Sequence, residues 1–343
     1  MKRVLVTGGA GFIGSCFARR LRLEDPDVEI VVLDLLTYAG NLANLAVFEG
    51  DPKYRFVKGD IVDPEAVRGA MEGCDVVLNF AAETHVDRSL LSAGHFFDTD
   101  VKGVFVLLEE ARRTGVSRFV QISTDEVYGQ ILSGSFTETD PLNPRNPYSA
   151  AKCGGDRLAY SFWASYGVPV IVTRASNNYG PYHYPEKLIP LFITNALDDL
   201  PLPLYGDGKN VRDWLHVEDH AAALLFLIEH GVPGQTYNVG GGNEVQNIEI
   251  TRRVLSLLGK PEALIRRVAD RPGHDLRYSL STEKLRALGW KPAKAFEEGL
   301  AETVQWYVDR QDWWRPIKER DPAFRAWYEK NYAARLQESA SRP

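Results

Sequence analysis

Through the first half of the chain, short runs of β-branched and apolar residues alternate with stretches of helical periodicity. Residues 3–7, 29–34, 55–58, 75–80, 118–122 and 168–173 read as strands, and 13–23, 64–71, 95–114 and 148–166 as helices. Each helix is long enough to cross over a sheet and return the chain in parallel. The pattern therefore predicts βαβ units and a doubly wound parallel sheet over residues 1–178. Beyond it come Pro- and Gly-bearing loops at 180–185 and 201–208, mixed with helices at 190–198, 218–230 and 247–258. That mixture predicts a smaller, loop-rich lobe over 179–330, with an approximate boundary that the chain can cross. Trp306, Trp313, Trp314 and Trp327 fall on a helical background and are expected to pack against one another. Residues 331–343 are expected to fray.

Composition narrows the function. With 44% hydrophobic and 25% charged residues among 343, the chain can bury a sizeable core and is far from the disordered regime. A formal net charge of -6 without a Lys/Arg run offers no grip on nucleic acid or an anionic membrane surface. No signal-peptide core and no bilayer-length apolar stretch are seen, so the expected location is the cytoplasm. Cys16, Cys74 and Cys153 lack metal-type spacing and are expected to be reduced packing residues, so no metal site is expected.

The first strand runs directly into Gly8-Gly9-Ala10-Gly11-Phe12-Ile13-Gly14 and then a helix. Glycines at 8, 11 and 14 suit a tight turn that a pyrophosphate must approach closely, at the N-terminus of a helix. Asp34 ends the second strand, where a carboxylate can accept the adenosine ribose hydroxyls. It would repel a 2′-phosphate, and Leu35, Leu36 and Thr37 supply no cation to hold one. The expected cofactor is NAD.

Tyr148 and Lys152 are one helical turn apart, so a lysine ammonium can lower the phenol's pKa and ready it to take a hydroxyl proton. Upstream, Ser123-Thr124-Asp125-Glu126-Val127-Tyr128-Gly129 follows a strand whose carboxyl end is a ligand-binding edge in such sheets. With the glycine turn, this set resembles the extended short-chain dehydrogenase/reductase family, whose Ser/Thr, Tyr and Lys triad is matched by Thr124, Tyr148 and Lys152. Within it the adjacent acids Asp125-Glu126 resemble the nucleotide-sugar dehydratase branch. So do Ala81-Ala82-Glu83-Thr84-His85-Val86-Asp87-Arg88-Ser89, Asn177-Asn178-Tyr179-Gly180-Pro181-Tyr182 and Arg271-Pro272-Gly273-His274-Asp275.

The resemblance implies a Rossmann-type α/β fold and a lyase that dehydrates a glucose carried on thymidine diphosphate, through C4 oxidation, C5/C6 elimination and hydride return to C6. It implies Glu126 as base at C5, a protonated Asp125 as acid at C6, and NAD tightly bound and regenerated. It further implies cofactor contacts at Phe12, Ile13, Asp60, Ile61, Ala81, Ala82, Thr99 and Asn178, beside Gly8, Gly11, Gly14, Asp34, Thr37, Tyr148 and Lys152. Substrate contacts are implied at His85, Thr124, Asn177, Lys187, Leu188, Pro203, Tyr205, Arg212, Asn247, Arg271 and His274; Arg212 and Arg271 are the cations expected on the diphosphate. The family's homodimer, a four-helix bundle, would use residues 95–114 and 148–166, with Leu158, Phe162 and Trp163 serving either the interface or the core. A uridine-specific dehydratase, a 4-epimerase and an NAD-sensing interaction protein are the rival readings. The paired acids argue against the epimerase, and the intact triad against a sensor.

Overall fold

The computed structural model describes residues 1–271, 273–333 and 335–336. In its first half β1 (Arg3–Thr7), α1 (Phe12–Glu24), β2 (Glu29–Asp34), β3 (Tyr54–Lys58), α2 (Pro64–Met71) and β4 (Val76–Asn79) follow one another. Short helices α3 (Val86–Leu91) and α4 (Gly94–Phe97) lead to α5 (Val104–Thr114), β5 (Arg118–Thr124), α6 (Pro147–Tyr166) and β6 (Val170–Ala175). Later come β7 (Asn177–Tyr179), α7 (Leu188–Leu197), β8 (Leu202–Tyr205), β9 (Val211–His216), α8 (Val217–His230), β10 (Thr236–Val239), β11 (Glu244–Gln246), α9 (Asn247–Leu258) and β12 (Ile265–Val268). Helices α10 (Glu283–Ala287), α11 (Phe296–Asp309), α12 (Gln311–Arg320) and α13 (Pro322–Tyr328) complete the chain.

Seven strands make one parallel sheet in the order β10-β6-β5-β4-β1-β2-β3. Strand alternation divides its side chains between two layers. Val4, Val6, Ile30, Val32, Leu78 and Val120 pack toward α1 and α8, while Leu5, Val31, Val77 and Phe119 pack toward α2, α5 and α6. Strand order reverses at β1 and β4, opening the crevice where such sheets bind ligands. After β7 the chain re-enters this layer as α8 and β10, so the two lobes interleave in sequence.

The second lobe has a separate core, in which α7, α9 and α11 surround Leu191, Trp214, Ile250 and Leu300. Trp313, Trp314 and Trp327 are buried in it and Trp306 packs against it, as the helical aromatic pattern predicts. Of the tail expected to fray, residues 331–333 belong to a π-helical turn, Glu329–Ala333; residues 334 and 337–343 lie outside the described residues.

One predicted helix needs correction. Residues 95–114 are not a single α-helix: Asp98–Gly103 form a π-helical turn between α4 and α5. The turn presses against Gly154 and Gly155 of α6, where a Cβ on Gly155 would lie 2.3 Å from Asp100 O. Two glycines thus admit the widened backbone, which periodicity could not reveal. Among the three residues left between interface and core, Phe162 is buried in the core, and Leu158 and Trp163 pack against it.

Helix α6 starts where its sequence says. Asn146 and Ser149 form a reciprocal capping box, Pro147 occupies the first turn, and Gly167 closes the helix in the left-handed conformation. Its middle is fixed by a fully buried ion pair, with Arg174 Nε and Nη2 donating to Asp156 at 2.8 and 3.1 Å. Removing one partner of such a pair strands a buried charge and costs about 3–5 kcal/mol. Asp156→Ala should therefore lower the urea-unfolding free energy by that order, and an unchanged midpoint would contradict this account.

Candidate active site

The crevice above the switch point is a cavity of about 730 Å³. Gly8, Gly11, Phe12, Ile13 and Gly14 form one wall. Gly8 has φ +64°, and a Cβ there would lie 2.6 Å from Ala81 N; one on Gly14 would lie 2.5 Å from Gly8 O. Glycine is thus a steric requirement at both. Helix α1 begins beside them with Gly11 at its N-cap and no side-chain cap, so its first N–H groups face the cavity unscreened by a polar side chain. Asp34 Oδ2 accepts Ala10 N at 2.9 Å and Oδ1 accepts Leu36 N at 2.8 Å, which leaves each oxygen a further lone pair for a ribose hydroxyl. Thr37, Asp60, Ile61, Ala81, Ala82, Thr99 and Asn178 line the same cavity. The donor set and the glycine cradle fit a dinucleotide with a free 2′-hydroxyl.

At its other end, β5 stops at Thr124 and the chain turns through a 3₁₀ helix, Asp125–Tyr128, capped by Thr124 Oγ1 accepting Glu126 N at 3.3 Å. Tyr128 anchors this turn, its hydroxyl accepting Arg174 Nη1 at 2.7 Å and donating to Asn238 Oδ1 at 2.8 Å. Asp125 is buried, and burial first, then Glu126 and Asp213, push its carboxyl well above the usual range. Glu126 Oε2 accepts Asn146 Nδ2 at 3.2 Å, joining the acid turn to the start of α6. Thr124, Asp125, Glu126, Tyr148 and Lys152 all face the cavity.

The expected depression of the Tyr148 pKa is not found. Burial dominates and raises it well above the ordinary phenol value, with Glu126 and Asp100 adding to the rise and a hydrogen bond from Thr124 opposing it. The Lys152 ammonium is committed elsewhere, donating to Ile122 O at 2.8 Å and lying 3.6 Å from Asp100 Oδ1.

The nucleotide-end residues fall into separate groups. Asn177 and Lys187 line the cavity, and the Lys187 ammonium donates to Thr84 O. Behind them Asp87 accepts Tyr205 Oη at 2.9 Å and Arg271 Nη1 at 3.1 Å, and the His274 ring lies 6.0 Å from that of Tyr205. Arg271 Nε is buried with no partner among the described residues. Arg212 is buried, donates to Asp275 O at 2.9 Å and lies over the Tyr278 ring. Leu188 begins α7, Pro203 sits in β8 opposite Arg266, and Asn247 begins α9 with its Oδ1 unpartnered among the described residues. His85 caps α3, its Nδ1 accepting Asp87 N, and burial lowers its pKa so that the ring stays neutral. Pro272 of the 271–275 motif lies outside the described residues.

Sequence reasoning passed over Asp87, Asp100, His183, Glu186 and His220. The last three line the cavity, and each carries a buried polar atom without a partner among the described residues: His183 Nδ1, Glu186 Oε1 and His220 Nε2. Ser123 Oγ, Ser176 Oγ and Asn177 Oδ1 share that condition. So many orphaned groups around one cavity mark a polar ligand's place.

Residues 5–303 match the GDP-mannose 4,6 dehydratase family. The chain belongs to that family. A dTDP-glucose 4,6-dehydratase of Streptomyces niveus is 51% identical over 326 residues, which span 94% of this chain and 97% of the relative. The low-salt glycan biosynthesis protein Agl12 of Haloferax volcanii is also 51% identical, over 89% of this chain and 98% of its own. The crystal structure of the dTDP-glucose 4,6-dehydratase DesIV from Streptomyces venezuelae, solved with NAD and dTDP bound, superposes with a TM-score of 0.90. It is 52% identical and covers 92% of this chain and 100% of that one. A UDP-glucose 4-epimerase of Thermus thermophilus in complex with NAD follows at 33% identity and a TM-score of 0.83, covering 90% of this chain and 99% of its own. The dehydratase family's fold is therefore shared with an epimerase.

Asp100 gives a test that needs no ligand. Burial raises its pKa from 3.8 to about 7, so the fold prefers it protonated while the unfolded chain ionises it freely. Below about pH 4 both states are neutral and nothing is lost. Between about pH 4 and pH 7 stability should fall as pH rises, by a few kcal/mol in order of magnitude, and level off above. Asp100→Asn should flatten that slope in urea melts across the window; a slope equal to the wild type's would refute the assignment.

Proposed function

We propose that the chain dehydrates dTDP-glucose to dTDP-4-keto-6-deoxyglucose and keeps NAD bound from one turnover to the next. The observation that carries the reading is the pair Asp125 and Glu126, held beside Tyr148 on the wall that faces the glycine turn. An epimerase needs the hydroxyl base alone. Elimination needs a second base and an acid as well.

Bound NAD supplies the oxidation at C4 and the matching reduction at C6. Tyr148 receives the C4 hydroxyl proton, and Lys152 holds the cofactor ribose and the phenol in place. Once C4 is a carbonyl the C5 proton is acidic, and Glu126 removes it. Asp125, whose burial favours the protonated form, donates to the departing C6 hydroxyl. Glu126 then returns its proton to C5. Arg271 and Arg212 serve the diphosphate, with Lys187 beside them; Tyr205, Asn247, His274, Pro203 and Leu188 serve the base and its ribose. In this reading residues 1–178, joined by α8 and β10, hold NAD, and 179–330 mainly hold the nucleotide sugar.

A homodimer fits the exposed apolar side chains on the α4–α6 face. Phe97 is 61% exposed, Phe105 46% and Tyr166 53%, an unusual cluster for a solvated helical face. Two such faces would close a four-helix bundle. No helix among the described residues is long and apolar enough to cross a membrane, and we place the enzyme in the cytoplasm.

Incubation of the purified protein with dTDP-glucose and no added NAD should give a sugar nucleotide lighter by one water in the mass spectrum. Tyr148→Phe should slow this about 10²–10⁴-fold, the usual worth of general acid–base catalysis. An isomer of unchanged mass would favour a 4-epimerase, and faster reaction of UDP-glucose would reassign the base. For the dimer, Phe105→Glu should halve the mass seen by light scattering; a wild type already of single-chain mass would end that proposal.

A further inference from the structure

The proposed cycle needs NAD held through every turnover, and the parts of the cradle that hold it are joined through Ala10. This alanine sits inside the glycine turn and is fully buried. Its N–H donates to Asp34 Oδ2 at 2.9 Å and so places the carboxylate that serves the ribose. Its carbonyl accepts two donors, Asn41 N at 3.0 Å and Asn44 Nδ2 at 2.9 Å. Asn41 ends the loop after β2 whose Leu35, Thr37, Ala39 and Gly40 line the cavity, and Asn44 lies in the 3₁₀ helix that follows, Leu42–Phe48. One residue thus ties the glycine turn to Asp34 and to this loop.

The Asn44 amide is buried, and the group that orients it comes from the far end of the chain. Trp313 Nε1, in α12 of the second lobe, donates to Asn44 Oδ1 at 2.8 Å. An indole N–H only donates and a peptide carbonyl only accepts. The amide therefore has one workable orientation, oxygen to Trp313 and nitrogen to Ala10. Turned over, it would set donor against donor and acceptor against acceptor. Trp313 is itself fixed in the second core, its ring 5.2 Å from that of Trp306 and 5.7 Å from that of Tyr182. Tyr38 and Ala39 of the loop pack on the same core. Two consecutive hydrogen bonds thus run from the second lobe into the cofactor cradle.

We propose that Trp313 is a positioning residue for the cofactor: through the Asn44 amide it fixes Ala10, and with Ala10 the glycine turn and Asp34, so that NAD leaves slowly. The inference rests on the retained-cofactor part of the dehydratase reading and names a residue responsible for it. Trp313 does not line the cavity, so its influence passes through Asn44. Without the indole N–H, Asn44 Oδ1 becomes a buried acceptor with no donor, and the amide that holds the Ala10 carbonyl is free to turn away. The adjacent Trp314 supplies the contrast. Its Nε1 donates at 2.8 Å to Tyr307 O, inside the second lobe, so the same loss there leaves the cradle untouched.

The test uses the full-length holoenzyme as the wild type and as Trp313→Phe, Trp314→Phe, Asn44→Ala and the Trp313→Phe/Asn44→Ala double variant. Each is loaded with isotope-labelled NAD, freed of excess and diluted into unlabelled NAD, and the label left on the protein is followed by rapid gel filtration and mass spectrometry. Trp313→Phe keeps the ring and removes only the donor, and should exchange NAD about 10–10²-fold faster than wild type, the effect of leaving one buried acceptor unpaired. Asn44→Ala should exchange at least as fast. The double variant should be no faster than Asn44→Ala, because both changes break one path. Trp314→Phe should lower the urea midpoint about as much as Trp313→Phe and still exchange NAD at the wild-type rate. With NAD in excess, Trp313→Phe should turn over within about threefold of wild type, since a loss confined to cofactor affinity leaves kcat in place.

Trp313→Phe or Asn44→Ala exchanging no faster than wild type would overturn the proposal. So would a Trp314→Phe as fast as Trp313→Phe, because general loosening of the second lobe would then explain both. Rates that multiply in the double variant would also overturn it, since Trp313 would be acting by a route other than Asn44. A wild type that neither carries NAD nor takes it up would instead end the retained-cofactor reading itself.

Discussion

Arg174 reaches three elements from one buried guanidinium. It grips Asp156 in the middle of α6 through two hydrogen bonds, and through the Tyr128 hydroxyl it holds the 3₁₀ turn that carries Asp125 and Glu126. Tyr128 passes the connection to Asn238 on the edge strand β10. The helix bearing Tyr148 and Lys152 and the turn bearing the acids are thereby registered to each other through a buried network. A buried guanidinium is costly unless every donor is met, so the network tolerates little relative movement of those elements. Side chains separated by tens of residues depend on this point, together with the Glu126–Asn146 hydrogen bond, for their mutual placement.

Around that frame the cavity and its walls bury ionisable side chains. Glu83, Asp100 and Glu186 all have carboxyls pushed up by burial, and Lys187 is pushed down by the same cause. Glu186 is paired with Arg88, yet one of its oxygens has no partner among the described residues. Water cannot solvate such groups well, and a ligand with hydroxyls, phosphates and a cationic ring can.

The fold was largely legible because its signals are local. The spans predicted for β1, β2, α2 and α9 coincide with those observed, since capping residues and β-branched runs mark their ends. The glycine turn, Asp34 and the acid turn were legible because backbone chemistry restricts what can stand there. Asp100 was not, because an acid within a helical pattern reads as solvent-facing; only the π-helical turn and Gly155 of a distant helix bring it under Lys152. The Tyr148 pKa was misjudged for a related reason. Spacing on a helix says that a lysine is near, and says nothing of the carboxylates and the burial that outweigh it. Asp87, which organises Tyr205 and Arg271, sits in a motif that was noticed, but its partners come from more than a hundred residues away.

Two adjacent carboxyls could be expected to share their protons and to blur the roles of acid and base. Their surroundings keep them distinct. Glu126 receives an amide donor from Asn146 at the start of α6. Asp125 has the Thr124 hydroxyl on one oxygen and no partner on the other among the described residues, in a buried position. In the proposed elimination the first serves as the base and the second, whose burial favours the protonated form, as the acid. Because a hydroxyl can reverse its donation without moving its oxygen, Thr124 can serve Asp125 in both protonation states, and an amide or a methyl in its place could not. The asymmetry that separates acid from base is therefore set by which neighbour each carboxyl has, and the strand-to-turn geometry after β5 fixes those neighbours.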